Sequence, residues 1–421
     1  FGQSLPRSCT PRKIPSSKDS KLIKQNNNCL ACDSDNIHVA LDLGHQPLAN
    51  SYKDSTDAPE DSYPLAVNLC HECFHLQLSH TVDPELIYKN YLYVSGTSKT
   101  LGDYSRWFAN FVNEYIGNVD GSVLDIGCND GSQLNYFKEL GFKTYGIDPA
   151  ENLHYLSQAN HEVVCDFFGP GAVPKLLNNY NAITAQNVFA HNPSPFDFLK
   201  CCRELMQEHT LLFVQTSQAD MVLNNEFDTI YHEHINFFNA NSMRTLAKRA
   251  GLHLIDVVKT PIHGNSYVFV LSLKNSRLHH VQNIINMEAP LLKLDTYRAW
   301  RDTVESNIKI LKTQLDEFRS QGRLLVGYGA AAKGNTLLNY SNIQLDFIID
   351  DNPLKQSKFS PGSGIGIVGI DVLINYSNQD NLVFVPLAWN FFTEIKQRIK
   401  LKRNNPTDVF VKYFPNVEVS K

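Results

Sequence analysis

The sequence predicts an α/β protein with three folded parts, and three observations support this prediction. In the middle of the chain, short apolar runs alternate with helical patterns, which indicates a parallel sheet with helices on both faces. Two Cys-x-x-Cys pairs come before this block, and a second unit of strand, glycine-rich turn and helix follows it. We therefore expect a disordered tail or cloning remnant at 1–28 and domains at 29–96, 97–276 and 277–421.

The predicted elements follow from apolar runs and helical spacing in each part. In the first part, 38–43 and 65–69 are predicted to be short strands. In the second part, helices are predicted at 131–140 and 243–250, and strands at 122–126, 144–147, 182–185, 211–215 and 267–273. In the third part, apolar residues spaced by three and four predict a long helix at 291–321, followed by strands at 323–328, 347–349 and 382–386.

Composition restricts the classes of function. The chain has 421 residues, of which 43% are hydrophobic and 19% charged, enough for ordinary cores. The net charge of −5 argues against a broad phosphate-binding surface, so nucleic acid is not an expected partner. A run of about 18 apolar residues is absent, and the first residues lack the apolar core of a signal peptide. We therefore expect no membrane association, and a monomer or weak oligomer.

Four of the nine cysteines form two close pairs, and their spacing predicts a metal site. The candidate ligands are Cys29, Cys32, Cys70 and Cys73. Zinc favours four thiolates in a tetrahedron, and a closed set of four leaves no position for water, so we predict a structural Zn²⁺ site. A redox pair or a nucleic-acid zinc finger is the alternative, and His71 and His75 are expected on the surface. Paired thiols in a long chain indicate a reducing compartment, so a cytoplasmic location is expected.

A glycine-containing turn after the first strand of the middle block predicts the cofactor site. The segment 123–131, Val-Leu-Asp-Ile-Gly-Cys-Asn-Asp-Gly, follows a strand and opens a helix, and its glycines allow the backbone to approach a ligand. Asp148 ends the next strand, where ribose hydroxyls bind in such folds, and Asp166 follows a third strand, near an adenine amine. The alternative is a degenerate fold without ligand, in which Asp125 only braces the loop.

Together these segments resemble the S-adenosylmethionine (SAM)-binding motifs of class I methyltransferases, so SAM is the expected cofactor. The candidate cofactor-binding residues are Asp125, Gly127, Asn129, Gly131, Asp148, Asp166 and Asn187.

The segment 227–238 contains the candidate catalytic residues. It places Tyr231, His232, Glu233 and His234 between apolar flanks, and histidine is a base near neutral pH that a neighbouring carboxylate or phenol can orient. On a strand, Tyr231 and Glu233 would share one face and the two histidines the other, whereas a turn would break this rule. His191 follows the strand at 182–185 and is expected in the same cleft. Either His234 or His191 is the candidate base.

The ordered set of motifs resembles the SAM-dependent nucleotide-sugar C-methyltransferases that build branched deoxysugars. The resemblance covers nearly everything from Cys29 onward and includes the two Cys pairs, 91–96 (Tyr-Leu-Tyr-Val-Ser-Gly), 124–127, 187–191, 231–234, 327–334, 350–353 and Trp389-Asn390. It implies a zinc domain, a class I methyltransferase (Rossmann-like) domain and a C-terminal Rossmann-like domain. It also implies that the substrate is a dTDP-linked 4-keto deoxysugar, that C3 is methylated, and that His234 is the general base.

The resemblance further implies that Tyr231, Glu233 and His191 lie beside this base. The candidate substrate-binding residues are Tyr91, Tyr93, His263, Asn265 and Lys333. Tyr91 and Tyr93 either form a wall over the cleft or pack between domains. Lys333, in a turn like that of dinucleotide folds, either meets the substrate diphosphate or pairs on the surface, and no bound NAD is expected.

Two segments depart from the family pattern, which leaves the sugar and nucleotide open. The loop 263–267 reads His-Gly-Asn-Ser-Tyr, where the family often has His-Gly-Gly-Ser followed by Arg, and 215–219 lacks an acidic residue followed by proline. The alternative function is C- or O-methylation of another small metabolite. A different class, a nucleic-acid-binding zinc protein, is disfavoured by the acidic net charge. A third class is a non-catalytic scaffold, which a lack of SAM binding would favour.

Overall fold

The computed structural model describes residues 22–88, 99–117, 121–217, 220–262, 265–376 and 381–421. The helices are α1 (Pro84–Tyr88), α2 (Lys99–Tyr115), α3 (Ser132–Glu139), α4 (Glu151–Ser157), α5 (Pro195–Leu205), α6 (Ala240–Arg249), α7 (Leu278–Met287), α8 (Leu294–Ser320), α9 (Ala332–Ser341) and α10 (Phe392–Lys402). Across those ranges, no helix combines the length and hydropathy that crossing a bilayer requires.

The strands form four sheets. They are β1 (Ile23–Gln25), β2 (Ile37–Gln46), β3 (Tyr63–Cys70), β4 (Leu76–Leu78), β5 (His80–Val82), β6 (Ser122–Ile126), β7 (Lys143–Asp148), β8 (Glu162–Cys165), β9 (Ala182–Gln186), β10 (Leu211–Ser217), β11 (Asn236–Phe237), β12 (His253–Thr260), β13 (Ser266–Ser272), β14 (Leu324–Tyr328), β15 (Phe347–Ile349), β16 (Ile367–Val368), β17 (Leu382–Pro386), β18 (Val409–Lys412) and β19 (Glu418–Ser420).

The central sheet has seven strands in the order β12-β13-β10-β9-β6-β7-β8. The five strands from β10 to β8 run parallel to one another, and β13 runs antiparallel to both of its neighbours. The expectation of an all-parallel sheet is therefore wrong for β13. A parallel sheet places the carboxyl ends of its strands at one edge, which is where ligands bind in such folds. That edge carries the loops that follow β6, β7, β8 and β9.

A smaller antiparallel sheet next to it has the order β11-β4-β3-β2. Its edge strand β11 comes from the middle of the chain, directly after the candidate catalytic segment. The boundaries expected at 29–96 and 97–276 therefore do not separate the sheets, because a short stretch of the second segment completes the sheet of the first. This exchange places the catalytic segment on the zinc-bearing part of the protein.

The last sheet has the order β16-β15-β14-β17-β18-β19, of which only β19 is antiparallel to its neighbour. Helix α8 precedes it and buries one stripe of side chains at helical spacing: Tyr297, Trp300, Val304, Leu311, Leu315 and Phe318. These side chains share one apolar core with strands β2, β3 and β4 and with the last sheet. Helix α8 thus joins the N-terminal and C-terminal sheets through a common core.

The expectation of a disordered tail up to residue 28 is wrong for its last residues. Strand β1 pairs with β5, from Ile23 opposite Val82 to Gln25 opposite His80. The buried Asn26 amide donates to the Leu78 carbonyl oxygen at 2.9 Å. A short polar strand carries little apolar signal, which is why composition alone does not indicate it.

Candidate functional site

The four paired cysteines meet at one point. The Sγ atoms of Cys29 and Cys73 are 3.6 Å apart, those of Cys32 and Cys70 are 3.5 Å apart, and all four lie within 4.8 Å of one another. A tetrahedral Zn²⁺ ion with Zn–S bonds of about 2.3 Å requires sulfur atoms about 3.8 Å apart. The four thiols therefore match a structural zinc ion, which is the metal that this part of the protein binds.

Each pair lies in the same kind of tight turn. In both turns the residue after the second cysteine has a left-handed backbone, with φ of 70° at Asp33 and 59° at Phe74. A backbone amide donates to the first sulfur of each pair, from Cys32 to Cys29 and from Glu72 to Cys70, both at 3.4 Å. Such donors stabilise thiolate charge, so the turns are shaped to present sulfur to a cation.

The two neighbouring histidines have different surroundings. His71 stacks on His38, with ring centroids 4.3 Å apart, and stays partly exposed. His75 is fully buried, its Nε2 lies 3.1 Å from Asn236 Oδ1, and its ring packs on Phe238. The expectation of a surface position is therefore wrong for His75. Its burial lowers the pKa to about 4, so the ring is a neutral part of the core.

Hydrogen bonds tie the zinc turns to helix α6 and to strand β11. The side chains of Asn239 and Asn241 donate to the carbonyl oxygens of Phe74 and Cys73, at 2.7 and 3.0 Å. Asn239 is also the N-cap of α6 and forms a reciprocal capping box with Ser242. The start of α6, and the chain that leads into it, is therefore fixed relative to the metal.

The loop after β6 has the geometry of a ligand-binding turn. Gly127 and Gly131 have φ of 75° and 82°, which side chains disfavour. A Cβ atom at Gly127 would lie 2.2 Å from Val188 Cγ2, so the loop packs directly against the loop after β9. The left-handed Gly131 is the N-cap of α3, and the first amide of the helix, that of Ser132, donates to Asp130 Oδ1 at 3.1 Å.

Two acidic residues follow the neighbouring strands at the same edge. Asp148, at the end of β7, accepts hydrogen bonds from the backbone amides of Asn129 at 2.9 Å and Ala150 at 2.8 Å. Asp166, after β8, pairs with Lys175 at 2.7 Å and keeps part of its surface exposed. The structure thus brings Asn129, Asp148 and Asp166 to one edge, and their contacts with ribose and adenine stay predictions.

Asp125 lies deeper than the other candidates. It is 3% exposed and accepts a hydrogen bond from Thr184 Oγ1 at 2.6 Å. Burial raises its pKa to about 7, and the nearby Asp148 adds to the rise. This position under the loop favours the alternative in which Asp125 braces the turn between β6 and β9, while direct contact with a ligand stays a prediction.

Asn187 begins the loop after β9 with a left-handed backbone, at φ of 54°. Its amide hydrogen is directed at Gln215, with the carbonyl oxygen at 3.0 Å and Oε1 at 3.1 Å. Gln215 is fully buried, and among the residues that the structure describes its Nε2 atom has no hydrogen-bond partner. An unpartnered buried donor is costly, so this corner of the site suits a ligand oxygen or a water molecule.

Residues 231–234 of the candidate catalytic segment form a turn, not a strand. The His234 amide donates to the Tyr231 carbonyl oxygen at 2.9 Å, and the two rings lie 4.0 Å apart. His234 Nδ1 lies 2.8 Å from the Thr229 carbonyl oxygen, which only accepts, so Nδ1 carries the proton. In the neutral form of the ring, Nε2 carries the lone pair, and this lone pair accepts the Tyr231 hydroxyl at 2.8 Å. This geometry produces a base backed by a phenol.

His191 lies against the same ring. It ends a short 3₁₀ helix, Phe189–His191, and its ring stacks on His234 with centroids 5.1 Å apart. The Ile235 amide donates to the Ala190 carbonyl oxygen at 2.9 Å, which clamps the two segments together. Burial lowers the pKa of His191 to about 4, so this imidazole is neutral at physiological pH.

The two remaining residues of the segment point to other parts of the protein. His232 is 1% exposed and packs edge-on against Tyr63 of β3, so it belongs to the core of the small sheet. Glu233 is 6% exposed and accepts a hydrogen bond from Asn50 Nδ2 at 2.6 Å. Burial raises the pKa of Glu233 to about 7, while the bond from Asn50 opposes the rise. Asn50 is not among the residues predicted from the sequence, because an isolated asparagine in a loop belongs to no motif or periodic pattern.

The candidate substrate-binding residues are only partly visible. Tyr91, Tyr93 and His263 lie outside the described residues. Asn265 has a left-handed φ of 107° and its side chain lies 3.5 Å from Asp220. Lys333 lies over the ring of Trp389, with Nζ 4.8 Å from the centroid.

The surroundings of Lys333 are acidic. Its charge lowers the pKa values of Glu226 and Asp228, which burial raises to about 7 and 6. Asp228 also accepts a hydrogen bond from the indole of Trp389 at 2.8 Å. These neighbours favour a structural ion network, and a contact of Lys333 with a diphosphate stays a prediction.

Comparison with known proteins agrees with this geometry. Three family models match in succession: a zinc binding domain at 29–88, a methyltransferase domain at 101–257 and a C-methyltransferase C-terminal domain at 261–415. The C-methyltransferase NovU of Streptomyces niveus is 28% identical over 391 residues, which cover 89% of this chain and 92% of that protein.

Other similar proteins match the central part alone. The ubiquinone biosynthesis O-methyltransferase of Glaesserella parasuis serovar 5 is 28% identical over 118 residues, 25% of this chain and 50% of that protein. A crystal structure of a SAM-dependent methyltransferase from Clostridium acetobutylicum covers 41% of this chain and 93% of its own, at 13% identity and a TM-score of 0.34.

The glycine turn at the carboxyl edge and the four-thiol centre define a class, the SAM-dependent methyltransferases, here with structural zinc. Within this class, the succession of the three family models and the similarity to NovU over most of both chains support a C-methyltransferase family with an N-terminal zinc domain. The prediction of the fold class and of both cofactors, SAM and zinc, is confirmed.

Proposed function

We propose that this C-methyltransferase acts on a nucleotide-linked, dTDP-type 4-keto deoxysugar, and that it methylates the carbon next to the ketone, C3. One observation supports the proposal most strongly. The loop that carries Gly127 packs on Val188, and three residues later His191 stacks on His234. The predicted SAM-binding loop and the imidazole base are therefore parts of one continuous surface.

The tautomer of His234 suits proton abstraction from carbon. With Nδ1–H donated to the Thr229 carbonyl oxygen, the ring is fixed and Nε2 presents its lone pair. A ketone at C4 acidifies the proton on C3, and a positioned histidine removes such protons at neutral pH. The Thr229 carbonyl then stabilises the imidazolium, because the Nδ1–H bond strengthens when the ring becomes charged.

The neighbouring groups suit the negative charge that develops on the ketone oxygen. The Tyr231 hydroxyl donates to His234 Nε2 at 2.8 Å, and when Nε2 takes the C3 proton this O–H is released and donates to the enolate oxygen. His191, with a pKa lowered to about 4, stays neutral and acts as a hydrogen-bond donor. We therefore infer that His234, whose ring is oriented by the Thr229 carbonyl oxygen, is the base and that His191 is the donor.

Bound SAM supplies an electrophilic methyl group on a sulfonium ion. The residues of the chain contribute by holding the enolate carbon in line with that methyl group and by excluding water. A set of thiolate ligands for zinc requires a reducing environment, which supports a cytoplasmic location.

Hydrogen exchange tests the proposal without requiring methyl transfer. Incubation of the enzyme with dTDP-linked 4-keto sugars in deuterium oxide, with S-adenosylhomocysteine present, should replace the C3 proton, as detected by mass spectrometry. His234→Asn should abolish the exchange, because Asn keeps a donor to Thr229 but has no basic lone pair. Exchange that continues in His234→Asn would refute the assignment of the base.

The wild-type result also separates the proposed substrate from the alternative. No exchange with any keto-sugar nucleotide, together with methylation of a hydroxyl on another metabolite, would instead support the O-methyltransferase function. Calorimetric titration with SAM is the control for both proteins, because His234→Asn leaves the Gly127 loop intact and should bind SAM as wild type does.

A further inference from the structure

An arm of the N-terminal part, residues 47–60, contacts the loop between β15 and β16 of the C-terminal domain. Lys53 and Phe359 form an isolated antiparallel bridge, with reciprocal backbone hydrogen bonds of 3.0 and 2.8 Å. Lys358 pairs with Asp54 at 2.7 Å, and the Gly362 amide donates to Glu60 at 2.9 Å. The arm therefore connects the zinc-bearing part to the C-terminal domain.

The glycine-rich turn after β14 contacts this arm through a backbone carbonyl group. In dinucleotide-binding folds, the polar backbone groups of such a turn face a pyrophosphate. Here the Ala330 carbonyl oxygen accepts the Tyr52 hydroxyl at 2.5 Å and Lys355 Nζ at 2.7 Å. The Ala330 amide donates to Asp350 at 2.7 Å. The groups at Ala330 are thus used for contacts within the protein.

Helix α9, which follows the turn, holds both the arm and the chain that enters the catalytic segment. The buried Asn335 side chain donates to the Ala49 carbonyl oxygen at 2.7 Å. One residue later, the Thr336 hydroxyl lies 3.2 Å from the Ile230 carbonyl oxygen. Each of these two anchor points comes directly before a residue of the site. Asn50 follows Ala49 and contacts Glu233, and Tyr231 follows Ile230 and contacts His234.

We propose that Asn50 is a positioning residue for Glu233, and that the turn and helix α9 of the C-terminal domain serve to hold this pair in place. Asn50 Nδ2 donates to Glu233 Oε1 at 2.6 Å, and Asn50 itself is exposed at the rim while Glu233 is buried beneath it. The side chain therefore covers the carboxyl group and fixes one of its oxygens. The other oxygen is directed by the same bond, because a carboxyl group is planar.

This inference depends on the proposed function, since Glu233 belongs to the catalytic segment. A role beyond structure makes a distinct prediction. The amide bond stabilises the ionised carboxylate, so removing it raises the pKa of Glu233 above its wild-type value. A contact that only stabilises the fold would change stability and the titration of Glu233 without changing the pH profile of catalysis.

The test compares Asn50→Leu, Asn50→Asp and a matched control, Asp54→Asn. Leucine keeps the size of the side chain and removes the hydrogen-bond donor. Aspartate keeps the shape of the side chain and replaces the donor by a second acid. Two different replacements are used so that the test does not depend on the folding of one variant. Asp54 lies on the same arm, is exposed, and contacts Lys358 far along the arm from Glu233. The control should therefore behave as wild type.

The readout is the titration of Glu233 by carboxyl ¹³C NMR of glutamate-labelled protein, assigned by its loss in Glu233→Gln. Asn50→Leu and Asn50→Asp should both raise the pKa of Glu233, and should lower kcat of C3 exchange by roughly tenfold, as expected for one hydrogen bond to a charged group, with unchanged SAM affinity. Adding Asn50→Leu to Glu233→Gln should give no further loss.

Two outcomes would overturn the inference. One is a Glu233 titration that is the same in wild type and in both Asn50 variants. The other is a double variant, Asn50→Leu with Glu233→Gln, whose loss of kcat equals the product of the losses of the two single variants. The NMR titration needs no substrate, so it still decides whether Asn50 stabilises the Glu233 carboxylate if no keto sugar exchanges and the proposed function itself fails.

Discussion

Loss of one zinc ligand should damage catalysis through the position of His234. Strand β11 begins two residues after His234 and pairs with β4. Strand β4 in turn pairs with β3, which ends at the zinc ligand Cys70. Besides the backbone pairing of β11 with β4, five further hydrogen bonds between described residues join the zinc-bearing part to the chain after His234. The Leu78 amide donates to Ile235, His75 and Asn236 are bonded through their side chains, and Asn239, Asn241 and Arg249 donate to Phe74, Cys73 and Ala31.

The magnitude follows from these contacts. At about 1 kcal/mol for each hydrogen bond, the tether contributes about 5 kcal/mol, which is comparable with the stability of a small domain. Cys70→Ser removes one of four thiolates and should lower the bound zinc well below one ion per chain. The sheet then loosens, and a displacement of about 1 Å at His234 lowers the rate by about 10²-fold.

The assay combines zinc analysis by mass spectrometry, SAM titration calorimetry and C3 exchange. Cys70→Ser should lose zinc and exchange but bind SAM nearly as wild type, because Gly127 and Asp148 belong to the seven-stranded sheet. Glu72→Gln, an exposed non-ligand in the same turn, is the control and should keep all three properties. A zinc-free Cys70→Ser protein with the wild-type exchange rate would refute this reasoning, as would one that also loses SAM binding.

Three further predictions concern single side chains. Gly127→Ala should abolish SAM binding, because the new Cβ would lie 2.2 Å from Val188 Cγ2. The control is Gly141→Ala, where φ is also positive but the space is open, and this variant should only destabilise the protein. Calorimetry that shows equal SAM affinity in both variants would contradict the prediction. Tyr231→Phe should lower kcat by about 10²-fold if its hydroxyl is a donor to the enolate oxygen. SAM affinity is the control, and an unchanged kcat would exclude the donor role of the hydroxyl. Glu233→Gln should alter the pH dependence of stability: the buried acid has a pKa raised to about 7, so its favourable contribution is complete below pH 4.5 and is lost as the pH rises through 7. Between these limits the variant should gain up to about 3 kcal/mol relative to wild type in denaturant unfolding, and parallel pH curves would show that Glu233 is not buried in its neutral form.

Much of the architecture is readable in the sequence because its signals are local. The run 122–126 contains the apolar residues Val123, Leu124 and Ile126, as expected of a buried strand, and it is found as β6 with the same limits. The two Cys-x-x-Cys turns contain their own geometry, so four ligands are recognisable without the fold. Strand β12 is missed because Asp256 and Lys259 interrupt its apolar residues and a bulge at Leu254 breaks the alternation.

The candidate site depends on contacts between distant segments, which patterns along the chain do not show. The choice between a strand and a turn at 231–234 decides which side chains meet, and neither periodicity nor propensity separates the two for four residues. The turn pairs Tyr231 with His234 and sends His232 into the core. Asn50, 183 residues before Glu233, becomes visible as a partner only when the arm is placed against the C-terminal domain.

A crystal structure with S-adenosylhomocysteine and a dTDP-linked 4-keto sugar would test the central claim most directly. We expect His234 Nε2 within about 3.5 Å of C3 on one side of the sugar, with the cofactor sulfur facing C3 from within the same pocket. A sugar carbon that lies beyond reach of this nitrogen, with the ring still held by Thr229 and Tyr231, would contradict the assignment of His234 as the base that prepares carbon for methylation.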